Sequence, residues 1–170
     1  MEKGTLYWVT GLAGAGKTTI GNLLYEYLKS KRDNVVIIDG DIIREIYQNS
    51  DYSNESRKKL AETSMRLCLM LTEQGIDVVA CIIAMYNDLR IWNRNNISNY
   101  KEIYLKVDVK ELIRRDQKKL YSRAIHGEIT NVIGIDIPFE EPQNPDLVIH
   151  NNGQESPENI LKYIVEVLNI

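Results

Sequence analysis

Residues 11–18 read Gly-Leu-Ala-Gly-Ala-Gly-Lys-Thr, which places glycine, lysine and a hydroxyl at every fixed position of the G-x-x-x-x-G-K-[ST] pattern. Glycines let successive backbone N–H groups curl around a phosphate where a Cβ would clash. The helix that follows such a loop points its positive end at the same anion. Gly11, Leu12, Ala13, Gly14, Ala15, Gly16, Lys17, Thr18 and Thr19 are therefore candidate ATP-binding residues. Lys17 can reach the β- and γ-phosphates, and the Thr18 hydroxyl can ligate Mg²⁺. A glycine turn that binds nothing is the bland alternative. The β-rich run Thr5–Thr10 before the loop and an amphipathic helix after it favour the phosphate site.

A second group of chemically able residues is Asp39-Gly40-Asp41, at the end of the apolar run 35–38. The carboxyl ends of parallel strands are where ligands bind in α/β sheets, and the adjacent parallel strand is expected to end at the phosphate loop. One carboxylate can hold a water on Mg²⁺ while the other accepts a proton from a substrate hydroxyl. Gly40 lets the chain turn between them, and Arg44 can grip an anionic group of an acceptor. Without the loop upstream, this would be only a polar turn.

The elements that must position these residues follow from periodicity. Short apolar runs alternate with segments of helical period, which predicts βα units on a parallel sheet. Helices are expected over about residues 17–31 and 55–74, the second with an inner stripe of Leu60, Ser64, Leu67, Cys68 and Leu71 and with Gly75 just beyond its end. Strands are expected at 76–83, 103–107 and 147–149, and Asn87 or Asp88 should cap a further helix. Asp108 and Glu111 resemble a capping box, and Ser156-Pro157 opens the last helix. Residues 126–146 hold three of the four prolines and read as a long ordered loop, with about 118–139 as a lid. The fold predicted is a single α/β domain over residues 1–170: a P-loop kinase fold with five parallel strands and helices on both faces.

Bulk properties narrow the partners. A chain of 170 residues with 44% hydrophobic side chains fits one domain with a sizeable core. A formal charge of −3 gives no general attraction for nucleic acid or an anionic membrane, so an anionic substrate needs a local positive pocket. No apolar run is long enough for a membrane helix, and the start lacks signal-peptide character. Cys68 and Cys81 stand apart, as do His126 and His150, so buried thiols in a cytoplasmic protein are expected rather than a metal centre.

Read together, these stretches resemble the adenylyl-sulfate kinase (APS kinase) family over nearly the whole chain. The matching pieces are residues 11–19, Asp39-Gly-Asp41 with Arg44, Tyr52-Ser53 with Arg57, and Asp116-Gln-Lys-Lys-Leu-Tyr121. The most specific is the tail, Gly127-Glu-Ile129, Gly134-Ile-Asp-Ile-Pro-Phe-Glu-Glu-Pro142 and Asn144-Pro-Asp-Leu-Val148. The resemblance implies an ATP- and Mg²⁺-dependent kinase that phosphorylates the 3′-hydroxyl of a nucleotide bearing a mixed anhydride, with a mobile lid and a homodimeric state. It implies that Lys17 and Thr18 handle phosphate and metal, with Asp39 near the metal and Asp41 as the acceptor-side catalytic carboxylate. Arg44, Arg57 and Lys118 resemble acceptor ligands, and Arg115 resembles part of the ATP base platform.

The departures from the family fall on the acceptor side. Ile42 stands where the family has Asn after its Asp-Gly-Asp, and Leu60 stands for an Asn that touches the sulfate nucleotide. Ala84-Met85 replaces a Ser-Pro pair, and Val132 replaces a Phe that helps stack the acceptor adenine. A valine cannot substitute for a stacking ring, whose contribution is roughly 1–3 kcal/mol. The departures point to the cytidine diphosphoramidate of a similar branch that serves capsule decoration, whose smaller pyrimidine needs less stacking surface, with adenylyl sulfate as the alternative acceptor. A GTP-dependent switch is disfavoured because no NKxD-type base motif occurs. Shikimate- and gluconate-kinase-like enzymes share the loop but lack this tail.

Overall fold

The computed structural model describes residues 2–170. Five strands form one sheet in the order β2-β3-β1-β4-β5, and each neighbouring pair runs parallel. They are β1 (Thr5–Thr10), β2 (Val35–Asp39), β3 (Asp77–Cys81), β4 (Asn99–Lys106) and β5 (Leu147–His150). The central strand β1 is apolar on both faces because both are covered, as parallel sheets require.

Alternation along β1 divides the core into two layers. Tyr7 and Val9 pack with Ile20, Leu24 and Leu28 of α1 (Lys17–Lys29) and with Ile160 and Ile164 of the last helix, Pro157–Leu168. Leu6 and Trp8 face the other way, toward Ala61, Met65 and Cys68 of α3 (Asn54–Glu73) and Leu89 of α4 (Asn87–Asn96). Between β2 and α3 lies a short helix, α2 (Gly40–Ile46). After β4 come α5 (Val109–Arg115), a tight turn at Gln117–Lys119, α6 (Leu120–Ile125) and finally α7 (Pro157–Leu168).

Several expectations are corrected. The strand next to β2 is β3, so β3 separates the end of β2 from the strand that carries the phosphate loop. Asp39-Gly40-Asp41 is not an open turn but the start of α2, with the Asp39 carboxylate capping the N–H of Asp41 at 2.9 Å. The buried stripe of α3 is Ala61, Ser64, Met65, Cys68 and Thr72, rotated from the expected one because Leu60 turns toward a cleft rather than the sheet. Asp108 and Glu111 form no capping box. The Asp108 carboxylate accepts from Asn152, and Glu111 pairs with Arg114 and Arg115 instead. Strand β4 begins earlier than its apolar run suggests, because buried Glu102 within it is paired with Arg90 of α4 at 2.9 Å. The expected stop of α3 at Gly75 and the Ser156 cap of α7 are both present.

Candidate active site

The loop between β1 and α1 has the backbone that its glycines predict. Gly11 and Gly16 sit at φ 149° and 95°, conformations that a side chain rarely adopts. At Gly11 space also forbids a Cβ, which would lie 2.6 Å from the Leu105 carbonyl, whereas at Gly16 it would lie 2.8 Å from Asn151 Nδ2, a side-chain end that would have to shift.

What holds the loop open is a set of side chains, each taking one of four consecutive carbonyls. Lys17 Nζ donates to Leu12 O at 2.8 Å, and the Tyr121 hydroxyl donates to Ala13 O at 2.7 Å. Arg115 Nη1 donates to Gly14 O at 3.2 Å, and Asn151 Nδ2 donates to Ala15 O at 2.9 Å. In a trans peptide the C=O and the following N–H point in opposite directions. Pinning each carbonyl therefore fixes the direction of the N–H that follows it, and among the described residues the N–H groups of Ala13, Gly14 and Gly16 meet no acceptor, while Ala15 N–H closes back on Leu12 O. The result is a cradle of donors for an anion. Arg115 lines the cleft and also braces the loop from behind, binding Glu111 at 2.8 Å and the Asn151 carbonyl at 2.6 Å.

Lys17 is buried, and burial pushes its ammonium pKa down to about 8 against the opposing pull of nearby Cys81, Asp39 and Asp41. The thiol of Cys81 donates to the Lys17 carbonyl at 3.4 Å, and burial raises its pKa to about 12, so it is inert packing under the loop. Thr18 Oγ1 donates to Asp39 Oδ2 at 2.8 Å. A hydroxyl and a carboxylate oxygen side by side at a phosphate loop are the hard oxygen donors that suit Mg²⁺, which takes few protein ligands and fills its shell with water and phosphate. The described residues hold no cluster of three or more His, Cys, Asp or Glu side chains fit for a metal.

A cleft of about 790 Å³ opens in front of the loop. Ala13, Gly14, Gly16, Lys17, Thr18 and Thr19 line it, whereas Gly11, Leu12 and Ala15 pack behind. Across from the loop stand Asp39, Asp41, Arg44, Arg57, Leu60, Lys118 and Val132, all on the cleft wall. Asp41 is exposed at the first turn of α2 and meets Lys118 at 3.2 Å. Arg44 and Arg57 both flank the Tyr52 ring, their guanidinium carbons 4.3 and 5.0 Å from its centre. Burial and then the Arg44 charge push the Arg57 pKa below its usual value, a tension that an anion between the two would relieve. Arg57 also donates to the Asn131 carbonyl at 2.7 Å, tying α3 to the segment that carries Val132. That segment is folded on itself by Asp136, whose carboxylate accepts from the N–H groups of Asn131 and Val132.

The fold thus brings together Lys17, Thr18, Asp39, Asp41, Arg44, Arg57, Lys118 and Val132 in one cleft. Leu60 and Val132, two of the substituted positions, do line it, but Ala84 does not: it is fully buried against the α3–α4 layer. Ile42 is exposed on α2. Tyr121 and Asn151 were not singled out as loop residues. Tyr121 closes the family-like stretch 116–121, but nothing in that stretch points to the loop, and nothing local to Asn151 signals its reach to residue 15.

Comparisons with known proteins agree with this geometry. The adenylylsulphate kinase family model matches residues 3–150. A cytidine diphosphoramidate kinase of Campylobacter jejuni is 43% identical over 96% of this chain and 95% of its own length. A probable adenylyl-sulfate kinase of Archaeoglobus fulgidus is 36% identical over 87% of this chain and 96% of its own. Among solved structures, the Mycobacterium tuberculosis APS kinase CysC in complex with AMPPNP and APS superposes with a TM-score of 0.90 at 26% identity, covering all of both chains. No helix among the described residues is long and apolar enough to cross a membrane. With its five-stranded parallel sheet, its glycine–lysine loop and these relatives, the chain belongs to the adenylylsulphate kinase family of P-loop nucleotide kinases.

Proposed function

We propose that this kinase transfers the γ-phosphate of ATP to the ribose 3′-hydroxyl of cytidine diphosphoramidate, in the phosphoramidate decoration of a bacterial capsule. The observation that carries this reading is an apolar patch on the acceptor wall, where Leu60 and Val132 line the cleft and Tyr52 is, among the described residues, the single aromatic lining it. Such a wall offers little stacking surface to a purine, and the 43% identity to a cytidine diphosphoramidate kinase supports the same acceptor.

In this reading the loop amides and Lys17 hold the β- and γ-phosphates, and Arg44, Arg57 and Lys118 hold the acceptor's phosphates. Asp41, set at the cleft mouth by the first turn of α2, accepts the proton of the 3′-hydroxyl. The hydroxyl oxygen bonds to the γ-phosphorus as the bond to the β–γ bridging oxygen breaks, and ADP leaves. Thr18 and Asp39 would hold Mg²⁺, which when bound neutralises phosphate charge. The segment about 118–139 acts as a lid that excludes water from the γ-phosphate. A cytoplasmic homodimer is part of the same proposal, resting on ATP as co-substrate and on the family resemblance.

A second reading, phosphorylation of adenylyl sulfate, is favoured by the retained loop, the Asp-Gly-Asp group and the 36% identical relative. The two are separated by kcat/KM for each acceptor at saturating Mg·ATP, with NMR locating the new phosphate. Turnover of adenylyl sulfate with none of the cytidine compound overturns the first reading.

A further inference from the structure

We propose that Tyr121 is a positioning residue of the phosphate loop, its hydroxyl fixing the Ala13–Gly14 peptide so that the Gly14 N–H faces the phosphates of ATP. This rests on the reading that the loop holds those phosphates.

The Tyr121 side chain is fully buried, and its one polar atom donates to Ala13 O at 2.7 Å across 108 residues of chain. Burial raises its pKa to about 12, so the hydroxyl remains a donor throughout the working pH range. The other pinned carbonyls are served by residues with further duties. Lys17 answers to the phosphates, and Arg115 and Asn151 also bind each other. The Tyr121 hydroxyl has no second polar partner among the described residues, so it serves the loop alone.

The chain goes to some length to bring this phenol into place. Asp116, Lys118 and Lys119 all adopt left-handed conformations (φ 38°, 57° and 54°), which non-glycine residues hold only where the surroundings enforce them. The Asp116 carboxylate supplies that enforcement, with Oδ1 accepting from Tyr121 N and Ser122 N at 3.0 Å each. This capped turn starts α6, whose first residues aim the ring under the loop. Glycine at 14 can rotate its peptide freely, so a loop that lost this restraint would spread its amides over several orientations.

The test is Tyr121→Phe, which keeps the ring and removes the donor, with binding of Mg·ATP and of inorganic tripolyphosphate measured by calorimetry. Loss of one oriented hydrogen bond is expected to weaken both by roughly 5–10-fold. The KM for ATP should rise by the same factor with the acceptor KM unchanged. Tyr104→Phe, whose hydroxyl instead binds Glu141 at 3.3 Å, should leave both affinities within twofold. Asp116→Ala keeps the phenol but releases its helix, and should weaken ATP in the same direction. It stands in if Tyr121→Phe does not fold. A lower Tm for Tyr121→Phe with unchanged binding of both phosphate ligands overturns the proposal and leaves a packing role only. Wild-type protein that binds neither ligand overturns the loop reading and this inference together.

Discussion

The Thr18 hydroxyl donates to the Asp39 carboxylate across 2.8 Å, although β3 lies between the strands that the two residues follow. The contact spans β3 because α1 and α2 both start at the carboxyl edge of the sheet, directly above it. Gly21 of α1 lies so close to β3 that a Cβ there would fall 2.0 Å from Cys81 Sγ. One carboxylate therefore serves two helices: Oδ2 meets Thr18, and Oδ1 caps the Asp41 N–H at 2.9 Å. The proposed metal side and the proposed proton acceptor are held to each other through Asp39.

That dual duty separates charge from cap. Asparagine is as good an N-cap as aspartate, so Asp39→Asn should change stability by less than about 1 kcal/mol. It removes the negative charge, and the Mg²⁺ concentration needed for half-maximal rate should rise at least tenfold. A titration of rate against Mg²⁺ checks this, and an unchanged midpoint removes Asp39 from the metal site.

Asp41→Asn should lower kcat by about a hundredfold or more with little effect on the KM for ATP, because an amide cannot take the hydroxyl proton. The residue is exposed and paired only with Lys118, so folding should be unaffected. A near-silent variant would move the proton acceptor elsewhere.

Lys17 gives a pH-dependent stability with a definite sign. Its pKa lies near 8 in the folded chain, below the ordinary 10.5, because burial disfavours the cation. Between about 8 and 10.5 the unfolded chain binds more protons, so ligand-free stability should rise with pH across that window. Below it both states hold the proton and the penalty is complete. Lys17→Met should abolish transfer while stabilising the ligand-free protein at pH 7 by roughly 2 kcal/mol, after allowing for the lost bond to Leu12. Melting curves at pH 7 and 10 for both proteins test it. A destabilised variant at pH 7 contradicts the buried-charge account.

Acceptor choice should respond to Leu60, which lines the cleft without being a core residue. Leu60→Asn should shift the ratio of kcat/KM toward adenylyl sulfate by about tenfold, the effect of one new polar contact. Val132→Phe is a harsher probe, since overpacking that buried site costs about 1–3 kcal/mol. No change in the ratio for either variant dissociates these residues from acceptor choice.

Arg57 links α3 to the proposed lid segment through Asn131 O at 2.7 Å. Hydrogen exchange over residues 118–139 should slow when an ATP analogue and acceptor are both bound. Arg57→Ala should lessen that slowing and raise the acceptor KM. Equal protection with and without ligands counts against a lid.

The sequence alone determined the parallel strands and the phosphate loop, because both are written in local spacing, whereas Arg57 and Lys118 joined Asp39, Asp41 and Arg44 only through the family resemblance. Apolar runs report strands directly, and the backbone requirements of the loop leave no choice but glycine at 11 and 16. Tertiary structure decided what depends on partners far along the chain. Glu102 lies in a strand only because Arg90 neutralises it. Asp39 starts a helix rather than a turn, a matter of where its two oxygens find donors. The stripe of α3 is rotated because Leu60 has a cleft to face, and Ala84 is withdrawn into the core although its position reads as acceptor wall. Tyr121 and Asn151 reach the loop across more than a hundred residues. Local spacing cannot report such a reach, since a hydrogen bond depends on distance in space and not on separation along the chain.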